Sequence, residues 1–389
     1  MKIWILLLAS PLLAYELSVA AIFRDEAPYF KEWIEYHRLV GVDHFWLYDD
    51  KSGDNWQEIL TPYIEQGIVE VIEVSSVTPL AYPMNQIISY RDALLKAKGQ
   101  TKWLAFIDLD EFLLPLEEST VSACLDKHFS QAAGVFVNWR NFGTGGVYLE
   151  PYAPILTRLT ACSVLEHPRN AVGKSIIRPD LTLDIWNPHF AVLESNSTYL
   201  YGDAKPIART RRENAADLDD LAVDGQPHSQ FLVLNHYNMR DENYYQKVRL
   251  PRAKAWGVEP ALAQEIYEAY NLDADKKMVR FLQEKHPREY SEFWNGDLEY
   301  IREKYYWLED HPMTVGVYLS QTPIEKEQIE KALSFFPEES LFVVCSETDG
   351  FPHDRIFFLE GESESIQLQV LDLCKHKISI SAEGMVINP

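Results

Sequence analysis

The order of hydrophobic segments in this 389-residue chain predicts an α/β fold, a mostly parallel sheet flanked by helices, plus a small C-terminal α/β unit. Two observations support the sheet: strand-like and helix-like segments alternate with short connections, and the strands read as continuous apolar runs typical of buried parallel strands. The predicted strands are residues 17–23, 44–48, 68–74 and 103–107. The predicted helices are residues 29–40, 56–66 and 84–98.

Turn and charge signals delimit these elements. Gly41 and Gly67 each follow a helical segment, where glycine is the preferred C-terminal cap. Three strands end in acidic clusters, which contain Asp25, Asp49 and Asp108. Because ligands of open α/β sheets bind outside the carboxyl ends of the strands, the sequence predicts one ligand site near these residues.

The remainder of the chain has a looser pattern. Short strands are predicted at 135–137 and 175–177. The stretch from 142 to 225 is rich in Pro and Gly and is expected to be loop-rich, and its acidic segment 217–224 is expected to be a solvated loop. Further helices are predicted at 242–256, 261–270, 275–285 and 289–307. A new unit is predicted from residue 313, with strands at 314–319, 341–345, 355–358 and 377–380 and helices at 324–335 and 363–374.

Composition limits the classes of partner. The chain has 59 acidic and 36 basic residues, a formal net charge of −23. This charge argues against nucleic acid and against an anionic membrane surface as partners. An anionic small molecule would need local positive charge from a metal, from Arg or Lys, or from helix N-termini. The four cysteines lack metal-site spacing and are expected to be thiols.

The N-terminus carries a hydrophobic segment. Residues 1–14 hold one lysine followed by an apolar run that ends in a small residue, which resembles a signal peptide. The alternative is a buried first strand. A secretory, extracytoplasmic or membrane-associated location is therefore favoured, with membrane proximity through the N-terminus, and a cytoplasmic location is the alternative.

Asp108 and Asp110 directly follow the fourth apolar strand. Two carboxylates at positions i and i+2 of a strand end can converge on one hard cation. Mn²⁺ or Mg²⁺ prefers such oxygen ligands and keeps open positions for phosphate oxygens. The pattern predicts a divalent metal site, although an isolated Asp-x-Asp also occurs in solvated turns.

Several separated motifs together resemble glycosyltransferase family 92, the former domain of unknown function 23, and its family-2-like relatives. They are the segments 23–26, 32–37, 41–45 and 48–54, the run 103–112, and the later segments 141–146, 174–179, 188–190 and 235–237. The resemblance covers roughly residues 17 to 255. It implies a GT-A fold and a metal-dependent, inverting transfer of a hexose, with galactose favoured, from a nucleotide-diphosphate sugar to a hydroxyl of a glycan or glycoconjugate. A UDP-sugar is the favoured donor.

The resemblance also implies roles for individual residues. The donor-binding residues would be Arg24, Asp25, Glu26, Asp49, Asp50, Asp108, Lys174 and Arg178. The metal ligands would be Asp108, Asp110 and His236, with Mn²⁺ or Mg²⁺ as the cofactor. The acceptor site would include Trp139, Phe142 and His189.

Each of these roles has a structural alternative. Arg24 and Glu26 could form a surface ion pair, Lys174 and Arg178 could be solvated, and Trp139 and the two histidines could be core residues. Inversion requires a general base. The sequence leaves it open among Glu166, Asp180, Asp184, Glu194 and Asp203.

The last 75 or so residues resemble part of family 11 fucosyltransferases, although the basic segment expected after their first strand is replaced by residues 318–321. The predicted organisation is thus a hydrophobic segment at 1–14, a transferase domain at 15–255, a helical connector at 256–312, and an α/β unit at 313–389, a truncated fucosyltransferase-like module. The alternative function is a non-catalytic carbohydrate- or partner-binding protein on a decayed scaffold. A phosphohydrolase is disfavoured, because no second metal cluster is evident.

Overall fold

The computed structural model describes residues 13–78, 80, 84–149, 152–211 and 219–294, and beyond them residues 314–319, 334, 340–344, 356–358, 374, 376–381 and 384–388. The chain divides into two compact units between Lys285 and His286. The helices between residues 256 and 285, which the sequence assigns to the connector, therefore belong to the first unit. Residues 1–12, the greater part of the predicted signal peptide, lie outside the described residues. Within the described ranges, no helix combines the length and apolar character needed to cross a membrane.

The first unit contains nine helical segments among its described residues. They are α1 (Ala27–Leu39), α2 (Trp56–Glu65), α3 (Val74–Val77), α4 (Met84–Ala97), α5 (Val121–His128), α6 (Glu242–Tyr244), α7 (Leu250–Ala255), α8 (Pro260–Ala269) and α9 (Lys277–Lys285). A π-helical turn, Tyr245–Arg249, joins α6 to α7, and short 3₁₀ turns lie at Pro168–Ala171 and Pro179–Leu181.

The strands of this unit include every strand that the sequence predicts there. They are β1 (Tyr15–Phe23), β2 (His44–Asp49), β3 (Val69–Glu73), β4 (Thr101–Phe106), β5 (Glu111–Pro115), β6 (Gly134–Asn141), β7 (Ala161–Cys162), β8 (Gly173–Ile177), β9 (Thr182–Ile185), β10 (Ala191–Leu193), β11 (Tyr199–Tyr201), β12 (Ala208–Arg211), β13 (Asp219–Ala222), β14 (Leu232–His236) and β15 (Asp273–Ala274).

Nine of these strands form one sheet. Its order is β3-β2-β1-β4-β8-β6-β14-β5, with β11 beside β6. The pairs among β1, β2, β3 and β4 are parallel, as are β6–β14 and β6–β11, whereas β8 is antiparallel to both neighbours and β5 is antiparallel to β14. The predicted α/β class, a mostly parallel sheet flanked by helices, is confirmed.

The sheet core follows from the apolar runs. Leu17, Val19 and Ala20 in β1 are fully buried, as a strand covered on both faces requires. Helix α1 packs on the sheet and donates side-chain hydrogen bonds to it. Trp33 Nε1 donates to the carbonyl oxygens of Asp108 and Glu111, at 3.2 and 3.0 Å. This helix therefore fixes the turn between β4 and β5, where the acidic motif lies.

Two expectations for the part of the chain beyond the fourth predicted strand change. The acidic segment 217–224 is predicted as a solvated loop, but its residues Asp219–Ala222 pair as β13 with β12. The strand predicted at 135–137 is longer, Gly134–Asn141, because its polar residues Asn138, Arg140 and Asn141 are buried and hydrogen-bonded rather than solvated.

The second unit has a five-stranded sheet of order β18-β17-β16-β19-β20, in which β20 alone is antiparallel to its neighbour. Its strands are β16 (Thr314–Leu319), β17 (Leu341–Val344), β18 (Ile356–Phe358), β19 (His376–Ser381) and β20 (Gly384–Asn388). It begins with α10 (Pro287–Glu289) and a π-helical turn at Tyr290–Trp294. The four predicted strands are confirmed. Apart from residues 334 and 374, the two predicted helices lie outside the described residues.

Candidate functional site

The strand directions bring the predicted site residues to one edge of the sheet. The carboxyl ends of β1, β2, β4, β6 and β14 point to this edge because these strands are parallel. Strands β8 and β5 are antiparallel, so they present their amino ends, which carry Lys174 and Glu111, at the same edge. The edge thus collects residues from seven strands.

The centre of this edge is an ion pair between Asp108 and Lys174. Lys174 Nζ donates to Asp108 Oδ2 at 2.8 Å, and the lysine is only 2% exposed. The other carboxylate oxygen accepts hydrogen bonds from Gln86 Nε2 at 3.0 Å and Tyr90 OH at 3.2 Å. Burial opposes ionisation of Asp108, but the Lys174 ammonium outweighs it and holds the pKa of this carboxyl below its ordinary value. The alternative in which Lys174 is solvated is therefore excluded.

Gly173 allows Lys174 to reach this position. A Cβ at residue 173 would lie 2.1 Å from the carbonyl oxygen of Val137 on the neighbouring strand. The absence of a side chain lets β8 approach β6 closely at the point where Lys174 begins its path to Asp108.

A fully buried carboxyl, Glu111, lies behind this pair. Its Oε1 accepts from Trp139 Nε1 at 2.7 Å, its Oε2 accepts from the backbone N–H of Asp108 at 2.7 Å, and Lys174 Nζ is 4.0 Å away. Burial raises the pKa of Glu111 above its usual range, while Lys174 acts in the opposite direction. Glu111 therefore ties Trp139 to the acidic motif, a role that its position in the sequence does not reveal.

Asp110 and His236 form the second pair of the site. His236 Nε2 lies 3.7 Å from Asp110 Oδ1, which is too long for a hydrogen bond. Two ligands of one divalent ion, each at about 2.1 Å from it, are roughly 3 to 4 Å apart. Burial lowers the pKa of His236 to about 4, so the imidazole is neutral near pH 7, as a metal ligand must be. The donor set and its spacing therefore fit a divalent cation.

The third predicted ligand, Asp108, is oriented differently. Its two oxygens face Gln86, Tyr90 and Lys174, so the geometry favours a charge-balancing role for this residue over direct ligation. Three His, Cys, Asp or Glu side chains with ligand atoms mutually within 4.8 Å occur once in the described part of the chain, at Glu117, Glu118 and His128. Both glutamates there contact Lys127.

The loops after β1 and β2 hold one another through the predicted donor-binding residues. Arg24 donates to the carbonyl and carboxylate oxygens of Asp50, at 2.7 and 2.5 Å. Asp25 has a positive φ of 57° and accepts from the N–H of Gly53 at 2.7 Å, and Asp49 accepts from the N–H of Ser52 at 2.9 Å. A positive φ is uncommon outside glycine, and such strain is concentrated at functional sites.

Glu26 pairs with Arg240 and not with Arg24. Arg240 Nη2 donates to Glu26 Oε2 at 2.6 Å, and its guanidinium lies 3.4 Å from the ring centroid of Tyr29. Burial raises the pKa of Glu26 to about 7, against the attraction of Arg240. The alternative in which Arg24 and Glu26 form a surface ion pair is therefore excluded, because each has a different partner. Arg240, 1% exposed, is a site residue that motif reading missed, and only its place four residues after His236 hinted at it.

Two expected site residues lie elsewhere. Arg178 follows the far end of β8 from Lys174, donates to the carbonyl oxygens of Ser130 and Ala132, and covers the ring of Trp103. The extended strand β8 carries Lys174 and Arg178 to opposite edges of the sheet, so a diphosphate role for Arg178 is not supported. Phe142 is 2% exposed and stacks on Tyr237 at 4.4 Å, so a sugar-stacking role is not supported either.

The other two acceptor candidates do lie at the site. Trp139 is partly buried, and its ring packs against His236 at 4.3 Å and His189 at 5.6 Å between centroids. His189 Nδ1 lies 2.8 Å from the carbonyl oxygen of Gly173, and burial lowers the pKa of this histidine. These rings form the aromatic wall beside the Asp110–His236 pair.

Three of the candidate general bases have other partners. Asp180 accepts from the N–H of Gly99, Asp184 pairs with Arg91 at 2.8 Å, and Asp203 accepts from His228 Nδ1 and pairs with Lys205. These contacts give the three carboxylates structural roles, and none of them distinguishes one carboxylate as the general base.

Comparison with known proteins identifies the class of the first unit. Residues 14–205 match the model of glycosyltransferase family 92. This part of the chain is a glycosyltransferase family 92 domain, as the sequence motifs imply.

Curated relatives and solved structures are distant. A glycosyltransferase family 92 protein of Oryza sativa subsp. japonica is 28% identical over 172 residues, 43% of this chain and 27% of that protein. A galactan beta-1,4-galactosyltransferase of Arabidopsis thaliana is 34% identical over 101 residues, 25% of this chain and 20% of that protein. The chain thus spans about a quarter of the length of these relatives. S. aureus TarS 1-349, solved in complex with UDP-GlcNAc, matches with 14% identity and a TM-score of 0.30, covering 76% of this chain and 80% of that one.

Proposed function

We propose that the protein is a metal-dependent, inverting glycosyltransferase that moves a hexose from a UDP-sugar to a hydroxyl of a glycan or glycoconjugate. The observation that carries the proposal is the pairing of Asp110 with a neutral, buried His236, beside the Asp108–Lys174 ion pair. Asp108, Asp110 and Lys174 lie within residues 14–205, which match glycosyltransferase family 92. Galactose is the favoured sugar, because relatives that match part of this chain are named galactan beta-1,4-galactosyltransferases.

The charge balance of the site supports the requirement for a metal. Two buried cations of the site, Lys174 and Arg240, are each paired with a carboxylate, Asp108 and Glu26 respectively. Among the described residues, the Asp110 carboxylate has one contact with a basic side chain, the approach of His236 Nε2 to within 3.7 Å. A nucleotide diphosphate would therefore meet no uncompensated positive charge from these residues. Mn²⁺ or Mg²⁺ held by Asp110 and His236 would supply Lewis-acid stabilisation of the leaving diphosphate.

The remaining residues bind and orient the donor. The loop that contains Asp25 and the loop that contains Asp49 and Asp50 lie at the carboxyl ends of adjacent parallel strands, where nucleotides bind in such sheets. Their mutual hydrogen bonds fix both loops before the donor arrives. This preorganisation lowers the cost of binding.

The acceptor half requires a wall that positions a sugar hydroxyl opposite the leaving group. Trp139 and His189 present such a surface beside Asp110 and His236. Inversion by direct displacement needs one carboxylate to take the acceptor proton. This base would be an Asp or Glu of the acceptor half.

Donor binding and turnover by the full chain test the proposal. UDP-galactose binding is measured by calorimetry with and without Mn²⁺, and UDP release is measured with galactan oligosaccharides as acceptors. The anomeric configuration of the product, read by NMR, tests inversion. Metal-dependent binding with UDP release supports the enzyme, whereas binding without release supports the carbohydrate-binding alternative.

Asp110→Asn is the informative variant, and Asp126→Asn on α5 is its matched control. Asp126→Asn makes the same side-chain change at an exposed residue whose carboxylate contacts Lys102. We expect Asp110→Asn to weaken Mn²⁺-dependent donor binding by at least about tenfold. Equal binding by the two variants would refute the metal role of Asp110.

A further inference from the structure

His236 belongs to a buried chain of side-chain amides that extends away from the site. The chain runs from Asn170 through Asn141 to the imidazole, and both amides are fully buried. Asn141 and His236 are direct neighbours in the parallel pairing of β6 and β14, and the N–H of Phe142 also donates to the carbonyl of His236. The backbone thus places the amide of Asn141 against the ring.

The orientation of Asn170 is set by two carbonyl groups. Asn170 Nδ2 donates to the backbone oxygens of Val164 and Leu165, at 2.9 and 3.0 Å. A carbonyl oxygen only accepts, so the NH₂ group must face these atoms and Oδ1 must face the other way. Oδ1 then accepts from the backbone N–H and from Nδ2 of Asn141, at 3.1 and 2.8 Å.

This orientation propagates to the histidine. Because Asn141 Nδ2 is used toward Asn170, Asn141 Oδ1 is the atom that faces His236, 3.0 Å from Nδ1. An amide oxygen cannot donate, so the ring proton must reside on Nδ1. In the neutral imidazole the lone pair is then on Nε2, the atom that faces Asp110.

We propose that Asn170 and Asn141 are positioning residues that hold His236 in its Nδ1–H tautomer and so present the Nε2 lone pair to a divalent cation shared with Asp110. The inference rests on the proposed function, which assigns that cation. The ring of Trp139, packed against His236 at 4.3 Å, restricts rotation of the imidazole, so the amide chain selects the tautomer of an already oriented ring.

A purely structural role for the two amides predicts a different outcome. In that case they would anchor the 163–171 segment to β6, and the choice of ring nitrogen would be immaterial. The tautomer of the metal-free protein separates the two roles. It is read from long-range ¹H–¹⁵N correlations of the full chain labelled with ¹⁵N-histidine, and the His236 signals are assigned by their loss in His236→Gln.

We expect the wild-type spectrum to show Nδ1 protonated and Nε2 unprotonated. The Nε2–H tautomer in the folded, metal-free wild type would overturn the proposal without the use of any variant. This readout does not depend on metal binding or on activity. A protein that shows the expected tautomer but binds no Mn²⁺ would therefore refute the proposed function and leave the hydrogen-bond chain intact.

Two substitutions of Asn141 test the consequence for the metal. Asn141→Asp keeps an oxygen that accepts from Nδ1, whereas Asn141→Leu removes it at similar volume. We expect Asn141→Leu to lose the single tautomer and to weaken Mn²⁺ binding by about 10- to 100-fold, measured by electron paramagnetic resonance of free Mn²⁺. Asn141→Asp should retain the tautomer and bind Mn²⁺ more tightly than Asn141→Leu. Equal Mn²⁺ affinity of Asn141→Leu and the wild type would refute the positioning role.

Discussion

The Asp108–Lys174 ion pair predicts an asymmetry between its two single substitutions. Lys174 is 2% exposed, whereas the side chain of Asp108 is 36% exposed. Asp108→Asn leaves a buried ammonium whose nearest carboxylate is Glu111, 4.0 Å away. Lys174→Met leaves a carboxylate that water can reach and that still accepts from Gln86 and Tyr90. Removing the acid should therefore cost more stability than removing the base.

The expected magnitudes follow from burial. Loss of one partner from a buried ion pair costs about 3–5 kcal/mol, because the other charge remains uncompensated. We expect Asp108→Asn to lie within this range and Lys174→Met to lie below it, since Asp108 recovers hydration. The double variant, which leaves no unpaired charge, should be more stable than the sum of the single effects predicts, with a coupling of about 1–3 kcal/mol.

Urea unfolding of the full chain measures these free energies. Tryptophan fluorescence reports on the first unit, because Trp33, Trp46 and Trp103 are buried in it. The reasoning would be refuted if Lys174→Met were the more destabilising change, or if the effects of the two substitutions were additive.

Three further predictions concern stability. Burial lowers the pKa of His228, but its hydrogen bonds to two flanking carboxylates outweigh this effect and raise the pKa above its ordinary value. The stabilisation of the folded state by this histidine is therefore complete below about pH 6.5 and is lost as the pH rises through the folded-state pKa. This pH dependence should be absent from the urea midpoints of His228→Gln. Gly173→Ala should lower the free energy of unfolding by about 1–3 kcal/mol in thermal unfolding, because the added Cβ would overlap a backbone oxygen. Gly53→Ala should cost less, because the nearest atom to its added Cβ is 3.9 Å away. A larger loss for Gly53→Ala than for Gly173→Ala would contradict the steric argument. Glu26→Gln should cost less than about 3 kcal/mol in urea unfolding at pH 7, because a glutamate with a pKa of about 7 is half protonated there and Gln resembles its protonated form. A loss of about 3–5 kcal/mol would instead show that Glu26 is fully ionised beside Arg240.

Local patterns account for the elements that were predicted correctly. The apolar runs that became β1, β2, β3 and β4 need no long-range information, because burial on both faces demands continuous hydrophobicity. Gly41 ends α1 with a φ of 96°, a conformation that glycine adopts without strain. Strand β13 was missed because its acidic composition indicates a loop, and its pairing with β12 is a tertiary event.

The site was predictable only in part. Convergence of Asp25, Asp49 and Asp108 follows from parallel strands, which the sequence pattern indicates. The resemblance implies a donor-binding role for both Lys174 and Arg178, which belong to one motif, but an extended strand carries the two residues to opposite ends. Closeness in the sequence is therefore a poor guide to the position of Arg178, because the path of the strand determines which edge of the sheet each residue reaches.

By itself, the sequence determined the α/β class, the order of the first strands, the acidic motif at 108–110 and the family of the first unit, because each is encoded in local periodicity or in ordered motifs. The tertiary structure decided which charges meet. Lys174 reaches Asp108 across 66 residues, Arg240 reaches Glu26 across 214, and His236 meets Asn141 across 95. These pairs depend on strand order and on the direction of β8. Strand order and strand direction are not local properties, so no short segment of the sequence specifies these pairs. Once the chain has folded, burial requires each of these polar groups to have a partner.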